Sequence, residues 1–245
     1  MIVKKHFFRH KSLQKNKRMI YWIITGVAML ASQFVGSMLQ RRFREYSTIY
    51  LETGMTGREV AEKMLRDNGI TDVEVMSVGG QLTDHYNPRN KTVNLSEVVY
   101  NESHVGAAAV AAHEVGHAVQ HAKAYPFLQM RSSLVPIVNL SANWVQYVLM
   151  AGIGIYAASQ NTIVLMIGIA LFSFSTLFSF VTLPVEFDAS SRALKWLQAA
   201  NITNSTELGK AKNALWWAAM TYVVAALASL GQLLYYVSIL LQNRD

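Results

Sequence analysis

From Ser132 to Val185 the chain runs for 54 residues without a single Asp, Glu, Lys or Arg. Two shorter stretches share the property, Met19 to Gln40 and Asn213 to Asn243. A helix rises ~1.5 Å per residue, so about 20 apolar residues cross a hydrocarbon core. Charged residues make up 15% of the chain, against about 25% in soluble domains, and the deficit lies in these three runs. An ordinary soluble fold is therefore excluded. So is a disordered chain, because 52% of the residues are hydrophobic. A disulfide scaffold is excluded by the absence of cysteine. The polar remainder suffices for one modest domain.

The runs predict four transmembrane helices: 19–40, 134–158, 162–185 and 213–241. Gln160 and Asn161 divide the long run into two spans. A signal peptide has an apolar core of about 7–15 residues. The first run is longer and is followed by Arg41, Arg42 and Arg44, so it reads as a retained anchor. Four crossings put both termini on one side. Segments 41–131 and 186–212 then share the other. The net charge of +7 comes from the tail 1–18, with Lys4, Lys5, Arg9, Lys11, Lys15, Lys17 and Arg18 and no acid. The positive-inside rule would make this tail cytoplasmic. Arg41, Arg42, Arg44, Arg192, Lys195, Lys210 and Lys212 flank the spans on the opposite side, so charge does not assign a face. The tail reads as a lipid-facing topogenic cluster and not as a nucleic-acid surface, since no aromatic pattern accompanies it.

Within segment 41–133, Thr56 and Glu59 have capping-box spacing. They introduce an amphipathic helix, Gly57–Asn68, which Gly69 closes. Strands are expected at Val73–Val78, Leu82–Tyr86 and Lys91–Leu95. Ser96 and Ser103 are candidate caps of two following helices. The second of these, His104 to about Lys123, is alanine-rich. The segment reads as a small α+β domain packed on that helix.

This helix carries His113-Glu114-Val115-Gly116-His117, an H-E-x-x-H motif. Residues i and i+4 lie one above the other on a helix face. Two imidazoles in that relation can meet one tetrahedral Zn²⁺ at about 2.0–2.1 Å, and Glu114 beside them can take a proton from metal-bound water as general base. The small residues Gly106–Ala112 would let a second helix approach closely.

A catalytic zinc needs a third protein ligand and an open position. His121 continues the i+4 series, but it lies about 12 Å along the axis from His113 and reads as a supporting or surface residue. Glu186 is the first charged residue after the 54-residue run, and two crossings bring it back to the side of His113. It is the better candidate. Asp188 lies two residues on and faces elsewhere; it reads as a hydrogen-bond partner. Ala189 would allow close packing against the alanine-rich helix.

Three stretches carry a family resemblance: Leu82–Ser96, Ala111–Gln120 and Leu183–Ser190. From about Tyr46 to the C-terminus the chain resembles the bacterial YugP-like neutral zinc metallopeptidases. It is also similar in layout to HtpX-type membrane proteases, in which a helical hairpin separates the H-E-x-x-H helix from a glutamate ligand. The resemblance implies a multi-pass protein of the bacterial cell membrane with one Zn²⁺, the ligands His113, His117 and Glu186, and Glu114 as base. HtpX-type enzymes carry Glu-x-x-Ala-Asp; Ser190 stands here in place of that Asp, so a contact of the Asp must be replaced.

The expectation is a mainly α integral membrane protein with about four transmembrane helices and a small α+β zincin-like catalytic domain. Its activity would be zinc-dependent endopeptidase cleavage, with membrane-associated polypeptides as substrates and the bilayer as its surroundings. Substrate would add as a strand to Val93, Asn94 and Leu95. His85, Tyr86 or Arg89 would supply a donor to the developing oxyanion. The rivals are an inactive membrane scaffold that keeps the fold and a site-2-type intramembrane protease. The latter would need a Leu-Asp-Gly ligand motif, which is absent.

Overall fold

The computed structural model describes the backbone of residues 2–241 and the side chains of residues 19–241. The basic side chains expected to fix topology, at positions 4 to 18, lie outside this set. Eight helices and three strands follow the order α1 (Ile2–Tyr46), α2 (Gly57–Asp67), β1 (Glu74–Val78), β2 (His85–Asn87), β3 (Thr92–Ser96), α3 (Glu97–Asn101), α4 (Val105–Ala122), α5 (Pro126–Ala142), α6 (Val145–Ser159), α7 (Ile163–Ala199) and α8 (Ser205–Leu241). The chain divides into two compact units. One comprises Val35–Ser133 and Val181–Tyr222; the other comprises Met1–Phe34, Leu134–Phe180 and Val223–Asp245.

The first unit has a hydrophobic core. Thr56 and Glu59 form the expected capping box, each side chain bonding the other's backbone N–H. This starts α2, which buries Val60, Ala61, Met64 and Leu65. They pack with Val93, Leu95, Val99 and the alanines of α4 in one core. Two of the expected caps differ. The N-cap of α4 is His104, not Ser103: the His104 imidazole accepts from the Ala107 N–H. Ser96 precedes α3 but makes no side-chain cap bond; its hydroxyl and its N–H both turn to the Asp84 carboxylate. A hydroxyl oriented to donate to this carboxylate does not present its oxygen to the first N–H groups of α3.

The sheet has the order β1-β3-β2, with β3 parallel to β1 and antiparallel to β2. Val93, Asn94 and Leu95 therefore lie in the central strand, and all five residues of β3 are buried. They cannot form the open edge expected of them, because both sides of β3 are already paired. The open edge next to α4 belongs to β2.

The second unit reverses the hydrophobic pattern. Trp22, Leu30 and Leu140 are 68%, 68% and 76% exposed, a burial pattern suited to hydrocarbon and not to water. Among the described residues, three helices are long and apolar enough to cross a membrane: Met19–Tyr46 within α1, then α7 and α8. The expected span 134–158 is not one rod. It is divided between α5 and α6, which are bent by 55° and make a fourth crossing only if taken together. Ser141 donates to the Val138 carbonyl just before the break, one of the side-chain bonds that compete with a helical ladder. The turn at Gln160 lies where expected, and its left-handed backbone ends α6. Past it, α6 and α7 pack closely. A Cβ on Gly152 would lie 2.7 Å from the backbone of Leu165.

Candidate metal centre

The i, i+4 relation on α4 places His113 and His117 with ring centroids 4.8 Å apart. Glu186 reaches them from α7, which continues through Pro184 without a break. Its Oε2 lies 3.4 Å from His113 Nε2 and 3.7 Å from His117 Nε2. One donor atom from each of the three residues falls within 4.8 Å of the others, and His117 and Glu186 are buried. Two imidazole nitrogens and one carboxylate are the donor set of a catalytic zinc site.

The far side of each ring is occupied. Ser190 Oγ lies 3.1 Å from His113 Nδ1, and Gln120 Oε1 lies 3.1 Å from His117 Nδ1. Each Nδ1 thus has an oxygen partner, which leaves each Nε2 free to bind a cation. Ser190 meets the His113 ring with a neutral hydroxyl. Gln120 is fully buried, and its amide N–H₂ donates to the Val185 carbonyl and to Asp188 Oδ2, both at 2.8 Å. Asp188 also accepts from Arg192 at 2.6 Å. Asp188 is therefore two bonds removed from His117, through Gln120. Burial disfavours a charge on His117, yet the adjacent Glu186 and the Gln120 amide outweigh it and hold this imidazole above its ordinary pKa. Such a pocket favours positive charge.

Close contact of the two helices depends on Gly116. A Cβ there would meet the Ala189 carbonyl oxygen at 2.7 Å. The motif glycine and Ala189 together let α4 and α7 approach closely enough for Glu186 to reach both histidines.

Glu114 is buried and accepts a 2.9 Å hydrogen bond from the Tyr86 N–H of β2. His121 does not join the cluster; its Nδ1 lies 2.8 Å from the Tyr86 hydroxyl. His85 is exposed, with Nδ1 2.7 Å from the Thr83 carbonyl. The Arg89 N–H donates to Asn87 Oδ1 within a turn. A cavity of about 200 Å³ opens on His113, Glu114 and Glu186 and is walled by Phe43, Val110 and Tyr222 among others. His85, Tyr86 and Arg89 do not line it.

Three contributors escape a reading of the sequence: Gln120, Arg131 and Tyr222. Arg131 had a signal. It is the last charge before the 54-residue run, as Glu186 is the first after it, and the two pair at 3.2 Å. Gln120 also had one, since it lies three residues beyond His117 on the same helical face.

The comparisons with known proteins agree with this donor set. Residues 21–241 match the family described as "Putative neutral zinc metallopeptidase". The chain is also similar to the "Putative membrane protease YugP" of Bacillus subtilis (strain 168), 41% identical over 227 residues, covering 93% of this chain and 99% of that protein. No solved structure matches. The chain belongs to this zinc metallopeptidase family, which implies Zn²⁺, and His113, His117 and Glu186 are the residues that fit the ion. It is a membrane protein, with three to four candidate spans.

Proposed function

We propose that the protein is a membrane-bound endopeptidase that hydrolyses peptide bonds in membrane-associated polypeptides, on a zincin-like domain formed by 41–133 and 186–212. The observation that carries this reading is the carboxylate of Glu114 beside the His113, His117 and Glu186 cluster, held by the Tyr86 N–H. The bound ion would supply the Lewis acidity that activates water and polarises the scissile carbonyl. Glu114 takes the proton from the attacking water and delivers it to the leaving amine. Its bond to β2 keeps the carboxylate from rotating away.

The outer edge of β2 suits an incoming substrate strand. The Tyr86 N–H points away from β3, toward Glu114, so a chain laid along this edge passes the base. The substrate strand thus moves from Val93–Leu95 to His85–Asn87. Tyr222 is the donor suited to the oxyanion. It lines the cavity with Glu114 and Glu186, which His85, Tyr86 and Arg89 do not.

The test is a Glu114→Gln variant of the purified full chain. Peptide cleavage should fall by about 10²–10⁴-fold while zinc content is unchanged. Tyr222→Phe should lower kcat more than it raises KM, with zinc retained. Undiminished cleavage by Glu114→Gln would remove Glu114 as the base, and no cleavage by the zinc-loaded wild-type protein would leave the scaffold alternative.

A further inference from the structure

A second concavity lies on the polar unit, with a volume of about 440 Å³. It runs between the later part of α7 and the first part of α8 and includes Phe187, Lys195, Gln198, Lys212, Leu215 and Trp216 in its lining. No step of the proposed hydrolysis uses it.

Its polarity is graded. Lys195 and Gln198 lie toward the C-terminal end of α7. Lys212 lies two turns into α8. Phe187 and Trp216 lie on the sides where the two helices continue into their uncharged stretches, with their rings 6.3 Å apart. Trp216 is 52% exposed. Tryptophan with an exposed ring at the end of an apolar helix is characteristic of the membrane–water boundary. Neither lysine has an acidic partner among the described residues, whereas Lys63, Lys91 and Arg192 each pair with an aspartate. From Trp216 to Lys212 is one helical turn, about 6 Å. The headgroup layer on each side of the hydrocarbon is about 5–8 Å deep. Two unneutralised ammonium groups therefore stand one headgroup depth beyond an aromatic, apolar floor.

We infer that this groove binds an anionic phospholipid, with the phosphate between Lys195 and Lys212 and an acyl chain along Phe187, Leu215 and Trp216. A soluble anion would have no use for the apolar half of the groove. A zwitterionic lipid brings no net charge to the two lysines, because its own cation offsets the phosphate, whereas an anionic lipid brings a net negative charge. The groove also adjoins the metal centre: Ser190, whose hydroxyl meets His113 Nδ1, contributes to its wall.

The experiment is native mass spectrometry of the full-length protein in detergent, titrated with phosphatidylglycerol and phosphatidylcholine of identical acyl chains. Phosphatidylglycerol should be retained about 10-fold more strongly. Lys195→Gln with Lys212→Gln should abolish that preference. Lys123→Gln with Lys210→Gln removes the same charge outside the groove and should preserve it. Trp216→Ala should weaken both lipids by a similar factor and leave their ratio unchanged. Zinc content and monodispersity serve as checks that each variant is folded. The proposal is overturned if the wild-type protein binds both lipids equally, if the preference survives in the groove variant, or if Trp216→Ala leaves both affinities unchanged. It is also overturned if a soluble acidic peptide displaces the lipid, since the groove would then be a protein-docking site.

Discussion

The helices α4 and α7 both supply metal-site residues, but by different physics. On α4 the two histidines and the base lie within five consecutive residues, and helical periodicity alone aligns them. On α7, Glu186 is 69 positions beyond His117, and no local regularity relates it to the motif. It arrives because two helix surfaces fit, Gly116 against Ala189 and the Gln120 amide against the Val185 carbonyl, and because Arg131 of α5 pairs with Glu186 itself. A ligand set can thus be half a property of secondary structure and half a property of packing.

The largest effect should come from removing the residue supplied by packing. Glu186→Ala should take purified protein from about one zinc per chain to about none, while His121→Ala should leave the content near one. Metal analysis after dialysis decides this, and a reversed result would transfer the third ligand to His121. Next come the groups that hold the two rings. Gln120→Ala should lower zinc affinity toward the upper part of a range of about 10–100-fold, because it also takes a donor from Asp188 and from the Val185 carbonyl. Ser190→Ala should fall at the lower end. Chelator competition measures both, and equal effects would mean that the rings are held in another way.

The packing contact itself is probed by Gly116→Ala. It should cost about 1–3 kcal/mol, because the Ala189 backbone must retreat. Gly154 on α6 has nothing within 4 Å of its missing Cβ, so Gly154→Ala should be neutral or stabilising by up to about 1 kcal/mol. Thermal midpoints of the two variants should move in opposite directions or by clearly different amounts.

The smallest effect concerns how α4 begins. His104→Ala should cost about 1 kcal/mol of cap stability. Burial holds the His104 imidazole below its ordinary pKa, so the folded state prefers the neutral ring that caps. Its contribution is complete above the unfolded value of about 6.5 and is lost as pH falls below that toward the folded pKa. His104→Asn, a cap that does not titrate, should flatten this part of the stability profile; an unchanged slope would assign the pH dependence elsewhere.

What could be read before the fold was known follows the same division. The H-E-x-x-H helix, the capping box at Thr56 and Glu59 and the turn at Gln160 all rest on short-range rules. Glu186 was accessible because counting membrane crossings is a long-range rule, though a coarse one. The bend between α5 and α6 falls among Asn139, Ser141, Asn143 and Gln146, uncharged polar residues that do not interrupt a run defined by the absence of charge. The order of the strands was hidden for another reason: Leu82–Tyr86 and Lys91–Leu95 look alike as sequence, and only pairing with β1 makes β3 central. Gln120 was masked by its ordinary polarity. An amide near the end of a helix invites no suspicion until its three partners are seen.

Ser190 has one more consequence, in the charge balance. Two neutral imidazoles and the Glu186 carboxylate would leave one positive charge of a divalent cation to face the Glu114 carboxylate. An aspartate at position 190 would add a further negative charge; a hydroxyl does not. The nearby Asp188 is already neutralised by Arg192, and Arg131 adds a further positive charge beside Glu186. Excess positive charge in a low-dielectric pocket is felt strongly by any group that becomes negative there. With a hydroxyl at position 190, a bound cation would keep more of its charge uncompensated than it would with an aspartate there.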